Sequence, residues 1–182
     1  MNSPLTTGTT TTGTTNDGTA DVAGDVTQVQ SHYASTKKLG HWTTSRRFEF
    51  RGRRGSAVLD LRSPQIPPGD IELVVDMDHS MLKLLVPEGA VIDHWDLHWT
   101  GRGKVKQTFH ETESAGTGRR IRITGHVKHG EVRVHSGGVA QLSAMFSREY
   151  VDDAIRAHRD GDHPTVDDPA RPGPTARAAS TA

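Results

Sequence analysis

Apolar and polar side chains alternate along most of the chain between residues 47 and 135, which is the period-two pattern of half-buried β-strands. Phe48 and Phe50 alternate with charged residues, whereas residues 81–86 are apolar on both faces and are expected inside a stack of strands. Glycine, proline and aspartate separate these segments. The pattern therefore predicts short strands at residues 47–51, 57–61, 71–77, 81–86, 91–99, 105–109, 119–124 and 131–135.

A short phrase occurs twice within this pattern. His79 and His129 each precede a small residue and then an alternating strand. If those strands stack in register, the two imidazole rings become neighbours, and their repulsion when both are charged should lower stability below about pH 6. The alternative is that both are turn residues whose side chains bond nearby backbone groups. Either interpretation predicts a repetitive, stacked β scaffold.

The hydrophobic period changes near the C-terminal end of this region. Between residues 148 and 159 apolar side chains recur at helical spacing, with Ser147 suited to the N-cap and Gly161 to the C-terminal stop. We expect this helix to cover an open end or edge of the sheet. The predicted class is all-β: a core of stacked short strands, β-helix-like or sandwich-like, with one C-terminal amphipathic helix.

The ends of the chain differ in composition from its middle. Residues 1–40 are rich in threonine, glycine and small polar residues, and residues 161–182 are rich in proline and alanine. Both segments have too few bulky apolar side chains to offset the entropy of ordering, so we predict that both are disordered. A β-stack domain with its helix is left at residues 41–160.

Charge and residue content exclude several classes of protein. Lysine plus arginine and aspartate plus glutamate balance at 22 each, so no global field attracts nucleic acid or an anionic membrane. The absence of cysteine excludes disulfides, thiol catalysis and thiolate metal sites. No apolar run approaches the ~20 residues of a membrane helix, and a secretion signal is missing. We expect a cytoplasmic protein that has no cofactor and does not insert into membranes.

Two strand units resemble a known family. The unit from Leu82 to Ile92, with its Pro87-Glu88-Gly89 turn, and the unit Gly130-Glu131-Val132-Arg133-Val134 are similar to rungs of the C-terminal β domain of LiaF-type, cell-wall-active-antibiotic-response proteins. The region from about residue 41 to 157, including the segment 147–154, is similar to a group of actinobacterial proteins. The resemblance implies a stacked-strand fold, an interaction function and a link to envelope-stress signalling. It carries no catalytic residues, and this sequence lacks the family's membrane segment.

One strand face carries possible metal ligands. His94, Asp96 and His98 alternate along the predicted strand 91–99, opposite a face that holds Trp95 and Trp99. Imidazole and carboxylate ligands suit zinc or nickel, so this face is a candidate metal or small-ligand site. The alternative is a solvated polar face.

Nucleic-acid binding and catalysis are both disfavoured by the pattern. Arginines surround Phe48 and Phe50, but the alternation turns both rings inward, where they cannot stack on bases. The sequence contains no nucleophile-elbow, phosphate-loop or HExxH motif. We therefore expect a protein that is not an enzyme and does not bind nucleic acid.

The function that we predict is that of a non-catalytic protein-interaction or regulatory module. The alternative is a small-ligand or metal-binding module that uses the His94, Asp96 and His98 face. Self-association through exposed strand edges is a further expectation. The predicted partner surface combines the charged face of the helix with a basic strand, and its residues are Arg47, Arg51, Arg148, Asp152, Asp153 and Arg156.

Overall fold

The computed structural model describes residues 25–108 and 118–170, which contain eleven strands and two helices. In chain order they are β1 (Val26–His32), β2 (Ser35–Lys38), β3 (Arg47–Arg53), β4 (Ser56–Asp60), β5 (Ile71–Asp78), β6 (Met81–Val86), β7 (Val91–Asp93), β8 (Leu97–Thr100), β9 (Lys104–Thr108), β10 (Arg120–Lys128), β11 (Glu131–Ser136), α1 (Gly137–Met145) and α2 (Arg148–Asp160).

The strands form two parallel sheets. Sheet 1 has the order β1-β3-β5-β10-β7, with β8 also paired to β10, and sheet 2 has the order β2-β4-β6-β11-β9. Each rung gives one strand to each sheet through a tight corner. The order in space departs from the order in sequence, because β10 and β11 insert between the rung of β5 and β6 and the rung of β7, β8 and β9.

The hydrophobic core lies between the two sheets. Phe48 and Phe50 of β3 are completely enclosed, and so are Leu82 and Leu84 of β6. Alternate residues of each strand point into this layer, as the period-two pattern requires. Burying each large apolar side chain contributes about 1.5–3 kcal/mol, so the stack of rungs is held together mainly by this layer.

The predicted all-β class is wrong, because two helices follow two parallel sheets and the protein has an α/β fold. The helix predicted at about 148–159 is present as α2, and the Ser147 hydroxyl accepts a hydrogen bond from the Tyr150 backbone nitrogen. Helix α1 was not predicted as an element. It begins with two glycines and buries only its small residues, so its amphipathic pattern is inverted.

Strand 91–99 is also interrupted. A turn at residues 94–96 separates β7 from β8, and the Asp93 carboxylate accepts a hydrogen bond from the backbone nitrogen of Trp95 at 3.3 Å. Trp95 was predicted on the inner face but is 92% exposed, whereas Leu97 is buried. The apolar and polar residues alternate through this turn by coincidence, because side chains in a turn do not alternate between two faces of a sheet.

The ordered region extends beyond the predicted boundaries at 40 and 161. Strands β1 and β2 lie inside the range predicted as an N-terminal tail, and they pair with β3 and β4. Val166 and Asp167, which follow α2, are buried. The remainder of both predicted tails, residues 1–24 and 171–182, lies outside the described residues, as does Phe109 of the predicted strand 105–109.

Candidate functional site

The corners that join the two sheets form a column on one side of the molecule. Tyr33, Arg54, His79 and His129 each occupy the left-handed backbone region, with φ between 49° and 52°. The backbone nitrogen of each donates to a carbonyl oxygen of the next rung at 2.9–3.2 Å. This ladder of hydrogen bonds holds a conformation that costs a non-glycine residue about 1 kcal/mol or more. The column presents four side chains in a fixed register.

The two histidines of the repeated phrase are neighbours in this column. The ring centroids of His79 and His129 lie 4.8 Å apart. The Asp78 carboxylate lies 2.6 Å from Nδ1 of His79, and this hydrogen bond lowers the pKa of Asp78. Nδ1 of His129 accepts from the backbone nitrogen of Arg102 at 3.2 Å, as the turn interpretation expected. The loss of stability below about pH 6 stays a prediction.

The residues Asp78, His79 and Ser80 contain the side-chain types of a hydrolytic triad, but not its geometry. The hydroxyl of Ser80 is buried and donates to the backbone carbonyl of Asp78 at 2.9 Å. A nucleophilic hydroxyl must instead bond to the imidazole and face the substrate. This arrangement gives Ser80 a structural role at the corner.

A groove of about 760 Å³ runs from the corner column onto the outer face of sheet 2. Its charged lining consists of one carboxylate, Glu131, and four permanent cations, which are Arg54, Arg102, Lys104 and Arg133. His79 and His129 complete its polar wall. The groove is therefore strongly basic within a chain whose net charge is zero.

The single carboxylate of the groove already forms ion pairs within the protein. Glu131 pairs with Arg133 at 2.9 Å and with Lys106 at 3.1 Å. The hydrogen bond from Arg133 is the main reason that the pKa of Glu131 is lowered. No carboxylate of the described residues lies within ion-pair distance of Arg54, Arg102 or Lys104. These three cations are available to an external anion.

The outer face of sheet 2 continues this basic surface. One residue from each strand lies in register across the sheet, and the row reads Lys37, Val58, Lys83, Arg133 and Lys106. Adjacent strands are about 4.8 Å apart, so four cations share one short row. The neighbouring His135 has a lowered pKa because of burial and then the charges of Lys83 and Arg133.

The outer face of sheet 1 carries charges of both signs, and several of them are paired across strands. Arg47 lies 3.1 Å from Glu72, and Arg53 lies 2.6 Å from Asp76. On sheet 2, Lys37, Lys106 and Arg133 are also paired, so the described cations that lack an ion pair and lie together are Arg54, Arg102 and Lys104 of the groove. This segregation marks the groove as the candidate site.

The structure does not bring the predicted metal ligands together. His94 lies in the turn between β7 and β8, Asp96 pairs with Arg122, and His98 packs its ring 5.4 Å from that of His126. Within residues 25–108 and 118–170, no three histidine or carboxylate side chains are grouped around a common metal position.

The predicted partner surface is divided between two sides of the molecule. Arg47 and Arg51 alternate with buried phenylalanines and so lie on the outer face of sheet 1, whereas α1 packs on sheet 2 and contacts α2. Arg148, Asp152 and Arg156 of α2 are exposed.

Asp153 differs from the other helix residues of that predicted surface. Its side chain is only 15% exposed and accepts hydrogen bonds from the backbone nitrogens of Thr165 and Val166 at 2.6 and 3.1 Å. Asp153 therefore fixes the segment after α2. Beside it, Asp152 and Arg156 line a smaller pocket of about 350 Å³.

Sequence reasoning missed the cations of the groove. Arg54 comes from the rung of β3 and β4, whereas Arg102 and Lys104 come from the rung of β8 and β9, and they converge only through the parallel register. One signal was present: Arg54 precedes a small residue and a strand, as His79 and His129 do. Aligning these phrases would have placed Arg54 in the same column.

No family model, curated protein or solved structure matches this chain. The resemblance to LiaF-type domains therefore stays a prediction. In the part of the chain that the structure describes, neither helix has the length and apolar character required to cross a bilayer.

Proposed function

We propose that this protein is a non-catalytic interaction module that binds an acidic segment of a partner protein in the basic groove. The observation that carries the proposal is the segregation of charge: Arg54, Arg102 and Lys104 line one groove without a carboxylate partner among the described residues. Complementary charge speeds encounter with a partner and selects against basic ones.

The dimensions of the groove suit a short extended peptide. Its lining includes Ser56, Met81, Glu131 and Lys104, which are the first residues of the four sheet 2 strands β4, β6, β11 and β9. Three inter-strand spacings of about 4.8 Å span roughly 14 Å, which is the length of about four extended residues. Two or three acidic side chains in such a segment can reach the cations of the groove.

An acidic peptide is favoured over single-stranded nucleic acid. Nucleic acid of this kind is held by bases stacked on exposed aromatic rings as well as by cations. Among the described residues that line the groove, the only rings are the two imidazoles, which pack against each other. The groove therefore offers charge without a stacking platform.

The regulatory part of the proposal comes from the resemblance to LiaF-type proteins. On that basis the module acts in envelope-stress signalling, from the cytoplasm, through a protein partner. The groove supplies a surface for such a partner that is independent of catalysis.

The proposal is tested with a fluorescein-labelled peptide of ten glutamates, whose anisotropy is followed as full-length protein is added. The double variant Arg102→Glu/Lys104→Glu should bind at least about tenfold more weakly, because each reversal replaces an attraction of up to about 1 kcal/mol with a repulsion. Wild-type affinity should also fall between 50 and 300 mM salt.

The matched control is Arg47→Glu/Arg51→Glu, which makes the same change in net charge on the outer face of sheet 1. It should retain wild-type affinity. Equal losses in both double variants would show a non-specific charge effect and reject the groove. Tighter binding of a ten-nucleotide single strand than of the peptide would replace the acidic protein segment with nucleic acid.

A further inference from the structure

The two helices leave an unusually apolar surface uncovered. Helix α1 packs against the body through Ala140 and Ala144, and in α2 only Ala157 is buried. Their large apolar side chains are exposed instead, and Phe146, between the helices, is 86% exposed. The exposed set is Val139, Leu142, Met145, Phe146, Val151 and Ile155.

Such a concentration is rare on a surface that meets only water. Single exposed apolar residues are common, but adjacent ones usually mark an interaction site. Val139 and Leu142 are three residues apart on α1, and Val151 and Ile155 are four apart on α2, so each helix presents one apolar stripe. We call these two stripes the helix face.

The charges of α2 show what this face fits. Three pairs of residues at equal distances before and after Ala154 carry opposite charges, whereas Asp153 corresponds to the uncharged Ile155. The pairs are Arg148 with Asp160, Glu149 with Arg159, and Asp152 with Arg156. When two copies of one helix cross antiparallel about a two-fold axis, such residues lie opposite each other. A second copy of this chain therefore complements α2.

Glu149 pairs with Lys37 at 3.4 Å, but several of the other charges have no ion-pair partner among the described residues. Arg148, Asp152 and Arg159 make no ion pair with any described residue. Arg156 lies 3.7 Å from Asp153, which is already bonded to the segment after α2. Pairing between copies would use these charges around an apolar centre at Val151 and Ile155.

We propose that the helix face is a two-fold interface between two copies of this chain, with the α2 helices antiparallel and crossing near Ala154. This interface differs from the strand-edge association predicted from the sequence. The edge strands of sheet 2 carry Lys37 and Lys38 on β2 and Lys104 and Lys106 on β9, and edge lysines oppose strand pairing.

The size of the face sets the expected affinity. Helices of 9 and 13 residues are about 14 and 20 Å long, and each is about 10 Å wide, so they offer a footprint of roughly 340 Å² per copy. A standard interface buries about 800 Å² per partner. We expect a reversible dimer with a dissociation constant in the micromolar range.

The test is sedimentation velocity of the full chain from 1 to 200 μM in 150 mM salt. Wild type should shift from the 19.8 kDa monomer towards a dimer as concentration rises. Asp152→Arg and Arg156→Asp should each weaken the dimer at least tenfold, because symmetry places each new like-charge contact in the interface twice. Ile155→Glu should also weaken it.

Mixing the two charge variants gives the decisive result. The Asp152→Arg variant has an arginine at both position 152 and position 156, and the Arg156→Asp variant has an aspartate at both. Opposite charges therefore meet only when the two variants pair, so an equimolar mixture should form a heterodimer with the affinity of the wild-type dimer. This rescue also shows that both variants are folded. A wild type that stays monomeric at 200 μM, single reversals that dimerise normally, or a mixture that stays monomeric would each overturn the proposal. So would a monomer that sediments with phosphatidylglycerol vesicles through this face.

Discussion

Removal of one partner from the buried ion pair between Asp60 and Arg62 should be one of the most destabilising side-chain changes in this protein. The Asp60 carboxylate is fully buried, and the Arg62 side chain is 8% exposed. The carboxylate accepts from Nε of Arg62 at 2.9 Å, from a terminal guanidinium nitrogen at 2.7 Å and from the backbone nitrogen of Gly40 at 3.2 Å. The guanidinium also donates to the carbonyl oxygens of Val166 and Asp167 at 3.0 and 2.7 Å. One pair therefore fastens the loop after β2 and the segment after α2 to the end of β4.

Asp60→Ala should destabilise the fold by about 3–5 kcal/mol, because it leaves a buried guanidinium without its counter-charge. Most domains have a free energy of unfolding of only 5–15 kcal/mol, so this is a large fraction. In a domain of this size the melting temperature should fall by roughly 10–15 °C. Urea unfolding followed by circular dichroism at pH 7 measures the loss.

The matched control is Asp76→Ala, which removes a similar carboxylate from Arg53 on the surface. That pair is close, at 2.6 Å, but its side chains are 41% and 52% exposed. Solvent screens such a pair, so the loss should stay below about 1 kcal/mol. Equal losses in the two variants, or a loss below 1 kcal/mol for Asp60→Ala, would refute the reasoning from burial.

Two further expectations concern glycines and pH. Gly125→Ala should lower the free energy of unfolding by more than 1 kcal/mol, because φ is +109° there and a Cβ would lie 2.1 Å from a carbonyl oxygen of β5. In Gly138→Ala of α1, the new Cβ meets nothing within 4 Å, so the free energy of unfolding should rise by about 0.5–1 kcal/mol. Urea unfolding measures both changes. Burial, followed by the charges of Lys83 and Arg133, lowers the pKa of His135 in the folded protein. As the pH drops, His135 is therefore protonated at a higher pH in the unfolded chain than in the folded protein. The free energy of unfolding should consequently fall as the pH drops from about 7 towards 5. Replacing His135→Phe should flatten melting temperatures between pH 7.5 and 5.5, and an unchanged slope would contradict this.

The local pattern of the sequence predicted most strands but not their arrangement. Period-two alternation depends only on one buried face, so β3, β5 and β6 were located within about two residues. Alternation does not say which strands pair. The insertion of β10 and β11 between earlier rungs therefore had no local signal, and the groove depends on that insertion.

The α1 helix and the predicted tails show a second limit of sequence reasoning. Leu142, Met145 and Phe146 have helical spacing, but the prediction placed a single helix at 148–159; in α1 the small residues, rather than these large ones, face the body. Strand β1 lies in the range predicted as a tail from its threonine, glycine and small polar residues; it buries only Val29 and Ser31, yet it pairs with β3. Both α1 and β1 are therefore stabilised by contacts with distant parts of the chain, which the local sequence pattern does not show.

The most direct test of the acidic-partner proposal is a titration of the ¹⁵N-labelled protein with the ten-glutamate peptide, followed by amide correlation spectra. The proposal predicts shifts that grow and saturate together at the groove, above all at Gly55, Gly130 and Lys104, and that disappear in Arg102→Glu/Lys104→Glu. Shifts confined to the outer face of sheet 1 or to α2, or no saturable shifts at all, would contradict it.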